Sequence, residues 1–270
     1  DSGMALVLIQ HLDPTHPSLG IEIIARSTKM RVEEAKNGLR VEKNCIYVLP
    51  PNRNLTIFRS VLSLTPRPEG PGQHLAVDFF LKSLAATERN RAIGVILSGN
   101  GNDGSEGLGA IKAEGGTAFA ENPKLAKYSS MPQSAIESGN VDFILSPKQI
   151  AKELIRIAGH PYINAPAIPA MHGIEIETGQ AKKISAREEQ VLQKIFRLLR
   201  NSLNIDFSSY KRPTLGRRIL RRMMVKKIKN IQEYYEYIEM NPEEAKCLCD
   251  DLLVNVTSFF RDPEIYAALK

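Results

Sequence analysis

The 270-residue sequence contains no tryptophan and only three cysteines, and no apolar run is long enough to span a bilayer. Three cysteines cannot build a disulfide framework, and no signal peptide is recognisable, so we expect a cytoplasmic protein. Cys247 and Cys249 have no second ligand pair nearby, and the few histidines show no ligand spacing. These absences argue against a secreted disulfide scaffold, a transmembrane protein and a metal site.

The excess of positive charge, +6 over the whole chain, lies entirely in its last third. Residues 1–180 carry 18 Lys and Arg against 18 Asp and Glu, whereas residues 181–270 carry 18 against 12. This asymmetry predicts two modules, the second of which faces an acidic partner.

Short apolar runs alternate with amphipathic stretches through the first 155 residues. Because buried strands that alternate with helices form parallel sheets covered on both faces, the pattern predicts an α/β domain with a doubly wound, mostly parallel sheet. Residues 55–66 alternate in the manner of an edge hairpin. The predicted strands are 5–10, 45–50, 92–98, 116–121 and 141–145, and the predicted helices are 17–29, 74–89, 105–115, 131–138 and 147–159.

The pattern changes after residue 158. Residues 159–184 hold three prolines and no sustained period, which predicts a linker. From residue 185 the period is helical throughout, with breaks at Asn230 and at Asn241-Pro242. We therefore expect a small all-α domain over 185–258.

Two candidate catalytic residues follow predicted strands of the first module. His11 comes after 5–10, and Asp103 stands in the loop "LSGNGNDG" after 92–98. Ligands of α/β sheets bind at the carboxyl ends of the strands. A histidine there could act as a general base, a buried aspartate could fix its tautomer, and glycine-rich backbone amides could bind an oxyanion.

Each of these residues also has a simpler interpretation. A hydrogen-bonded structural histidine is commoner than a catalytic one, and Asp103 could merely cap the helix that begins near Ser105. A hydrolase of this type needs a serine on a tight turn after a strand, and no G-x-S-x-G occurs. The residues by themselves favour the structural interpretation. The serines that lack the required setting are Ser2, Ser18, Ser27 and Ser98.

Residues 211–229 carry nine basic residues and no acidic one. Four arginines recur at helical spacing and predict a basic face about two turns long. A solvated face, a nucleic-acid surface and a surface for an acidic protein all fit, although no nucleic-acid-reading motif is recognisable. The four arginines are Arg217, Arg218, Arg221 and Arg222.

The segment "VLIQHLDPTHPS" and residues 91–145 resemble the catalytic domain of chemotaxis protein-glutamate methylesterases, the CheB family. The resemblance covers about residues 4–155. It implies that His11 is the base and Asp103 its orienting partner, that Asn100 and Gly101 lie in the oxyanion loop, and that no cofactor is needed. The family's nucleophilic serine follows its first strand. We therefore expect residues 1–158 to lack that strand and the serine, which would precede Asp1.

The helical stretch from "IFRLLRNSL" onward resembles the N-terminal helical domain of chemoreceptor methyltransferases, the CheR family. The resemblance implies that the arginines of the second helix face the acidic cytoplasmic helices of methyl-accepting chemoreceptors. It also implies that "NVTSFFRD" contacts S-adenosylmethionine through Asn255, Thr257 and Arg261. Residues 259–270 would then begin the methyltransferase domain proper.

Together the two resemblances imply a bifunctional chemosensory enzyme that methylates receptor glutamates and hydrolyses the resulting esters. We expect this chain to be incomplete for both activities, with chemoreceptors as partners, no nucleic acid bound and no insertion into the membrane. Two alternatives stay open. One is a receptor- or scaffold-docking module without catalysis, and the other is a nucleic-acid-binding regulator that uses residues 211–229.

Overall fold

The computed structural model describes residues 2–10, 20–67, 75–164, 186–207, 210 and 212–253, without the side chains of 186–187 and 212–214. The chain forms two compact units, Asp1–Ala170 and Met171–Lys270. None of the described helices is both long enough and apolar enough to cross a membrane.

The described strands of the first unit form three hydrogen-bonded ladders. In the first ladder β3 lies between β1 and β2, and in the third β7 lies between β6 and β8; all of these pairs are parallel. The second ladder is the antiparallel hairpin β4–β5. The strands are β1 Leu6–Leu8, β2 Arg31–Glu34, β3 Cys45–Val48, β4 Arg53–Phe58, β5 Val61–Pro66, β6 Ile93–Ile96, β7 Thr117–Glu121 and β8 Phe143–Leu145.

The described part of this unit also contains a short 3-10 helix, Arg89–Arg91, and six α-helices: α1 Gly20–Ser27, α2 Ala76–Glu88, α3 Ser105–Ala113, α4 Ser130–Glu137, α5 Pro147–Ala158 and α6 Pro161–Asn164. The core of the unit collects apolar side chains from the sheets and from α2 and α3, among them Tyr47, Leu62, Phe80, Leu108 and Ile111. Helix α2 also bonds to the hairpin, because the Ser83 hydroxyl accepts the N–H of Ile57 and the Thr87 hydroxyl donates to the Ile57 carbonyl.

The second unit is helical in its described part, with α7 Ala186–Leu203, α8 Arg212–Lys226, α9 Ile231–Met240 and α10 Pro242–Leu253. Its core draws on all four helices, for example Ile195, Ile219, Tyr234 and Leu248. The predicted breaks have local causes. The Asn230 side chain caps α9 by accepting the N–H of Gln232, and α10 begins at Pro242, where a missing N–H costs no helical bond.

The predicted α/β class, the mostly parallel strands and the helical second part are confirmed. The pattern did not predict β2, because two of its four residues are glutamates. Helix α6 lies inside the segment expected as a linker. There the Tyr162 hydroxyl donates to the Gly115 carbonyl at 2.6 Å, so the first unit continues to residue 164.

Candidate functional site

The glycine-rich loop, residues 97–104, follows β6 at the carboxyl end of the parallel β6–β7–β8 ladder. It turns into α3 at Gly104, where φ is +97°. A Cβ at this position would lie 2.3 Å from Cδ1 of Ile96 and 2.9 Å from Cγ1 of Val77. Only glycine fits such a backbone against such neighbours. The loop therefore delivers the residue before Gly104, Asp103, into the interior.

Asp103 is buried, and its carboxylate lies at the start of α2. Its Oδ2 accepts the backbone N–H of Val77 at 2.9 Å, and its Oδ1 accepts that of Asp78 at 2.8 Å. The first N–H groups of a helix have no partner within the helix, and the helix dipole makes this end partly positive. Both effects stabilise the ionised form of Asp103.

The simpler interpretation, in which Asp103 caps the helix that begins near Ser105, is wrong. That helix is α3, and Asp103 caps α2 instead. The N-cap of α3 is Gly104, which has no side chain, and the N–H of Gly107 in the first turn of α3 instead donates to Oδ1 of Asp78 at 2.6 Å. Asp78 belongs to α2 and is buried. The two helices thus exchange carboxylate caps: Asp103 serves α2, and Asp78 serves α3.

Burial raises the pKa of the Asp78 carboxyl, and the negative charges of Asp103 and Glu106 act in the same direction. The hydrogen bond from Gly107 and the charge of Lys82 oppose this shift. Asp78 was not among the predicted site residues. Its only signal in the sequence is an acidic residue in a first helical turn, which is too common to indicate a site.

The other side of the glycine-rich loop is tied to the segment between β7 and α4. The buried Glu121 accepts the N–H of Ser98 at 2.8 Å, and the Ser98 hydroxyl accepts the N–H of Tyr128 at 2.9 Å. A Cβ at Gly99 would lie 2.3 Å from Sδ of Met131, so Gly99 packs directly on that side chain. The loop is held from both of its ends by buried groups, as a preorganised site requires.

The expected oxyanion loop, Asn100 and Gly101, is exposed. Gly101 has a φ of +91°, and its N–H donates to the Ser130 hydroxyl at 3.1 Å. That hydroxyl in turn donates to the Gly101 carbonyl at 3.0 Å. The Gly101 amide is therefore engaged by α4 in this conformation, and an oxyanion would have to displace Ser130 to reach it.

His11 lies outside the described residues, as do Asn255, Thr257 and Arg261. The proposed contact between His11 and Asp103 and the proposed cofactor contacts therefore stay predictions. A carboxylate offers about four acceptor positions. The N–H groups of Val77 and Asp78 take two of these positions, so capping α2 and orienting a histidine are compatible roles.

The four arginines of α8 do not form the exposed basic face that their spacing predicts. Arg221 is fully buried, and its Nη1 lies 2.6 Å from Oδ2 of the buried Asp251. Arg222 makes two bonds to Glu244, at 2.9 and 2.7 Å. Arg218 is also buried, and Arg217 is half-buried. The spacing correctly puts them on one helix, but most of the described side chains of α8 are buried.

The Arg222–Glu244 pair is part of a larger buried network. The Tyr234 hydroxyl donates to Oε1 of Glu244 at 2.9 Å, and Lys226 Nζ lies 3.1 Å from Oε2. Burial disfavours the charged form of Arg222, but the bond to Glu244 and the charges of Asp251 and Glu244 outweigh it and raise the pKa. Burial and the Glu244 charge raise the pKa of Tyr234. Arg221 and Arg222 are paired with carboxylates inside the unit and are not available to a partner in this conformation.

Cys249 packs in the helical core, while Cys247 of the same helix is exposed. Among the described residues, no group of three His, Cys, Asp or Glu side chains could hold a metal ion.

The fold and the loop define the class of protein: an α/β domain with a buried carboxylate beneath a glycine-rich loop, in one chain with an all-helical domain. Comparison with known families agrees with this division. The CheB methylesterase family matches residues 1–154, and the family of the CheR methyltransferase all-alpha domain matches residues 190–253. The chain belongs to the CheB methylesterase family, and it also carries the CheR all-alpha domain.

An uncharacterized 104.1 kDa protein of Rhodobacter capsulatus is 33% identical over 257 residues, which cover 92% of this chain and 27% of that protein. A protein-glutamate methylesterase/protein-glutamine glutaminase of Syntrophomonas wolfei is 30% identical over 164 residues, or 58% of this chain and 45% of the relative. This chain therefore spans less than half of either relative. The crystal structure of the CheB methylesterase catalytic domain of Thermotoga maritima matches with 25% identity and a TM-score of 0.49, over 58% of this chain and 86% of that domain.

Proposed function

We propose that this chain is part of a bifunctional enzyme that modifies chemoreceptors, and that its first unit takes part in hydrolysing glutamate methyl esters. The observation that carries the proposal is the buried Asp103 at the carboxyl end of β6, whose carboxylate accepts two N–H groups at the start of α2, in a domain of the CheB methylesterase family. A fixed carboxylate is what a catalytic histidine needs in order to keep its tautomer.

In the proposed reaction His11 takes the proton of a nucleophilic serine as the serine oxygen adds to the ester carbonyl. The carbon–oxygen bond to the methoxy group then breaks, and methanol leaves with the proton that His11 returns. Water, activated by the same histidine, hydrolyses the acyl-enzyme and restores the serine. Asp103 stabilises the imidazolium that forms in each half of the cycle.

The esterase proposal is tested with the full natural protein that carries this chain and a methylated chemoreceptor, with released methanol as the readout. Asp103→Asn keeps the shape of the side chain, but it replaces one acceptor oxygen with an NH2 donor and removes the negative charge. It should therefore no longer hold the histidine in the correct tautomer. We expect a loss in kcat of about 10³-fold or more. His11→Ala should cause a loss of similar size, and the double variant should be no worse than either single variant.

Asp142→Asn is the matched control, because it makes the same chemical change elsewhere in the unit. Asp142 also accepts a backbone N–H, that of Ala118 at 2.9 Å, but it lies just before β8, at the opposite end of the strands from the glycine-rich loop. The methanol release of the Asp142→Asn variant should stay near that of the natural protein. Full activity of the Asp103→Asn variant would contradict the proposed esterase role of this site.

The CheR all-alpha domain supports a second proposal, that the same protein transfers methyl groups from S-adenosylmethionine to receptor glutamates. When bound, S-adenosylmethionine would supply the methyl group. Asn255, Thr257 and Arg261, which come from the family resemblance, are its proposed contacts. Arg261→Ala in the full natural protein should weaken binding of S-adenosylhomocysteine in calorimetry. Unchanged binding in that variant would contradict the assignment.

The chemoreceptor is the proposed partner of both reactions. The burial of Arg218, Arg221 and Arg222 means that these three side chains do not form the receptor contact in the described conformation. The same burial removes the main observation behind the nucleic-acid alternative, which needed their charges on the surface.

A further inference from the structure

Asp78 is a buried carboxylate directly beside Asp103 for which the serine–histidine–aspartate scheme has no role. It takes part in two hydrogen bonds that run in opposite directions between α2 and α3. Its backbone N–H donates to Oδ1 of Asp103, and its own Oδ1 accepts the N–H of Gly107. Asp78 is thus the one described residue that bonds both to the Asp103 carboxylate and to the first turn of α3.

The position of Asp103 depends on the first turn of α3, because only Gly104 separates Asp103 from that helix. Gly104 contributes no capping side chain and has a left-handed backbone, so it does not anchor the turn by itself. The buried anchor is the bond from Gly107 to Asp78, and the exposed Lys82–Glu106 ion pair also joins this turn to α2. A shift of α3 away from α2 would move Asp103 relative to the two N–H groups that hold its oxygens.

The close approach of the two helices depends on a small residue at Gly107. A Cβ there would lie 2.6 Å from Cβ of Leu81 and 3.1 Å from Oδ1 of Asp78. With no side chain at this point, the carboxylate of Asp78 can reach the backbone of α3 directly, at 2.6 Å. The contact is a direct, charge-assisted bond in a buried place, which gives it both strength and precise geometry.

We propose that Asp78 is a positioning residue for the esterase reaction, one that fastens the start of α3 to the start of α2 and so fixes the carboxylate of Asp103. The proposal rests on the proposed esterase function for its catalytic meaning. The coupling between Asp78 and Asp103 is a property of the structure and can be measured without any activity.

The kinetic test compares Asp78→Ala, Asp78→Asn and Asp142→Ala in the full natural protein, with methanol release from a methylated receptor. Misplacing a catalytic group by about 1 Å costs up to about 100-fold, so we expect Asp78→Ala to lower kcat by about 10-fold to 100-fold with KM changed less than about twofold. Asp78→Asn keeps an oxygen that can accept the Gly107 N–H, and it should stay within about threefold of the natural kcat.

Asp142→Ala removes a carboxylate that also accepts a backbone N–H, and its kcat should be unchanged. A general loss of stability would instead lower the amount of active enzyme, and it would lower the methanol release of Asp78→Ala and Asp142→Ala to a similar extent. If Asp78→Ala does not fold, Asp78→Leu takes its place in the test, because leucine fills the same space but has no hydrogen-bond acceptor. Natural kcat in Asp78→Ala or Asp78→Leu overturns the proposal.

The second test measures amide hydrogen exchange in this chain. In Asp78→Ala we expect faster exchange at Gly107 and also at Val77 and Asp78, the two amides that bind Asp103, whereas Asp78→Asn should protect all three. Faster exchange at Gly107 alone would show that Asp78 does not position Asp103. If the natural protein releases no methanol, the esterase function is wrong, but the exchange pattern still decides whether Asp78 holds Asp103.

Discussion

Asp103 and Asp78 are two neighbouring carboxylates that the fold buries. Each accepts backbone N–H groups at the start of a helix, where the helix dipole favours negative charge. The arrangement differs from an ordinary cap, because each cap comes from the neighbouring helix. The same bonds that satisfy the helix ends therefore also join α2 to α3.

The pH dependence of the free energy of unfolding should reveal the raised pKa of the Asp78 carboxyl. Because its pKa is raised in the folded state, the folded protein binds this proton more tightly than the unfolded chain. Stability should therefore fall as the pH rises from the unfolded value of 3.8 through the folded value, and then level off. Asp78→Asn removes this titration, so urea unfolding from pH 3.5 to 7 should show the variant gaining relative to the natural chain as the pH rises. A constant difference would contradict the assignment.

Gly104 should be among the least replaceable residues of the loop. Gly104→Ala combines a left-handed backbone with a Cβ that collides with Ile96 and Val77, so we expect a loss of about 2–4 kcal/mol in stability. Gly139→Ala is the matched control, since Gly139 has a φ of +72° but nothing within 4 Å of its Cβ position. It should cost only about 1 kcal/mol, the backbone term alone. Equal losses in urea unfolding would mean that packing at Gly104 is unimportant.

At the scale of elements, α8 is a largely buried helix of the second unit, and several of its charged side chains point inward. Arg221 and Arg222 are paired with Asp251 and Glu244 of α10, and Tyr234 of α9 completes the network. Breaking a buried ion pair leaves an uncompensated charge, whereas replacing both partners with apolar residues is often neutral. The network therefore ties three helices together only as long as it is complete.

Arg221→Met should destabilise the second unit by up to about 3–5 kcal/mol, because the buried Asp251 would lose its hydrogen-bonded arginine and keep the Arg222 guanidinium at 3.8 Å. The double variant Arg221→Met with Asp251→Leu should recover most of that loss. The measurement is the free energy of opening from amide hydrogen exchange in α7 to α10. A double variant as unstable as the single one would mean that the loss comes from packing and not from the unpaired charge.

At the scale of the whole molecule, the described residues form two separate cores. One is built around Leu62, Phe80 and Leu108, the other around Ile195, Ile219 and Leu248, and no described side chain belongs to both. Each unit thus has its own source of stability, in line with the two families that match separate parts of the chain.

Leu108→Ala and Leu248→Ala should therefore act on different parts of the chain. Both side chains are fully buried, so each substitution should cost about 2–5 kcal/mol in its own unit. Hydrogen exchange followed residue by residue should show Leu108→Ala accelerating exchange in β6, β7 and α3 with little change in α7 to α10, and Leu248→Ala doing the reverse. A loss of protection throughout the chain from either variant would show that the units unfold together.

Much of the architecture follows from local pattern. Apolar runs of strand length identified five of the described strands, and the alternation at 55–66 identified the hairpin, because these signals depend only on neighbouring residues. The position of Asp103 after a buried strand was likewise readable, since the carboxyl ends of parallel strands share one edge of the sheet. Strand β2, with two glutamates in four residues, has no such signal.

Local residue patterns set the order of the elements, the two-part division of composition and charge, and the place of Asp103 at a strand end. Which groups meet depends on tertiary packing. The bonds of Asp103 and Asp78 join residues 25 to 29 positions apart, and those of Arg221 and Arg222 join residues 30 and 22 apart. Helical spacing shows which side chains share a face, but whether that face meets water or a buried carboxylate depends on how the helices pack.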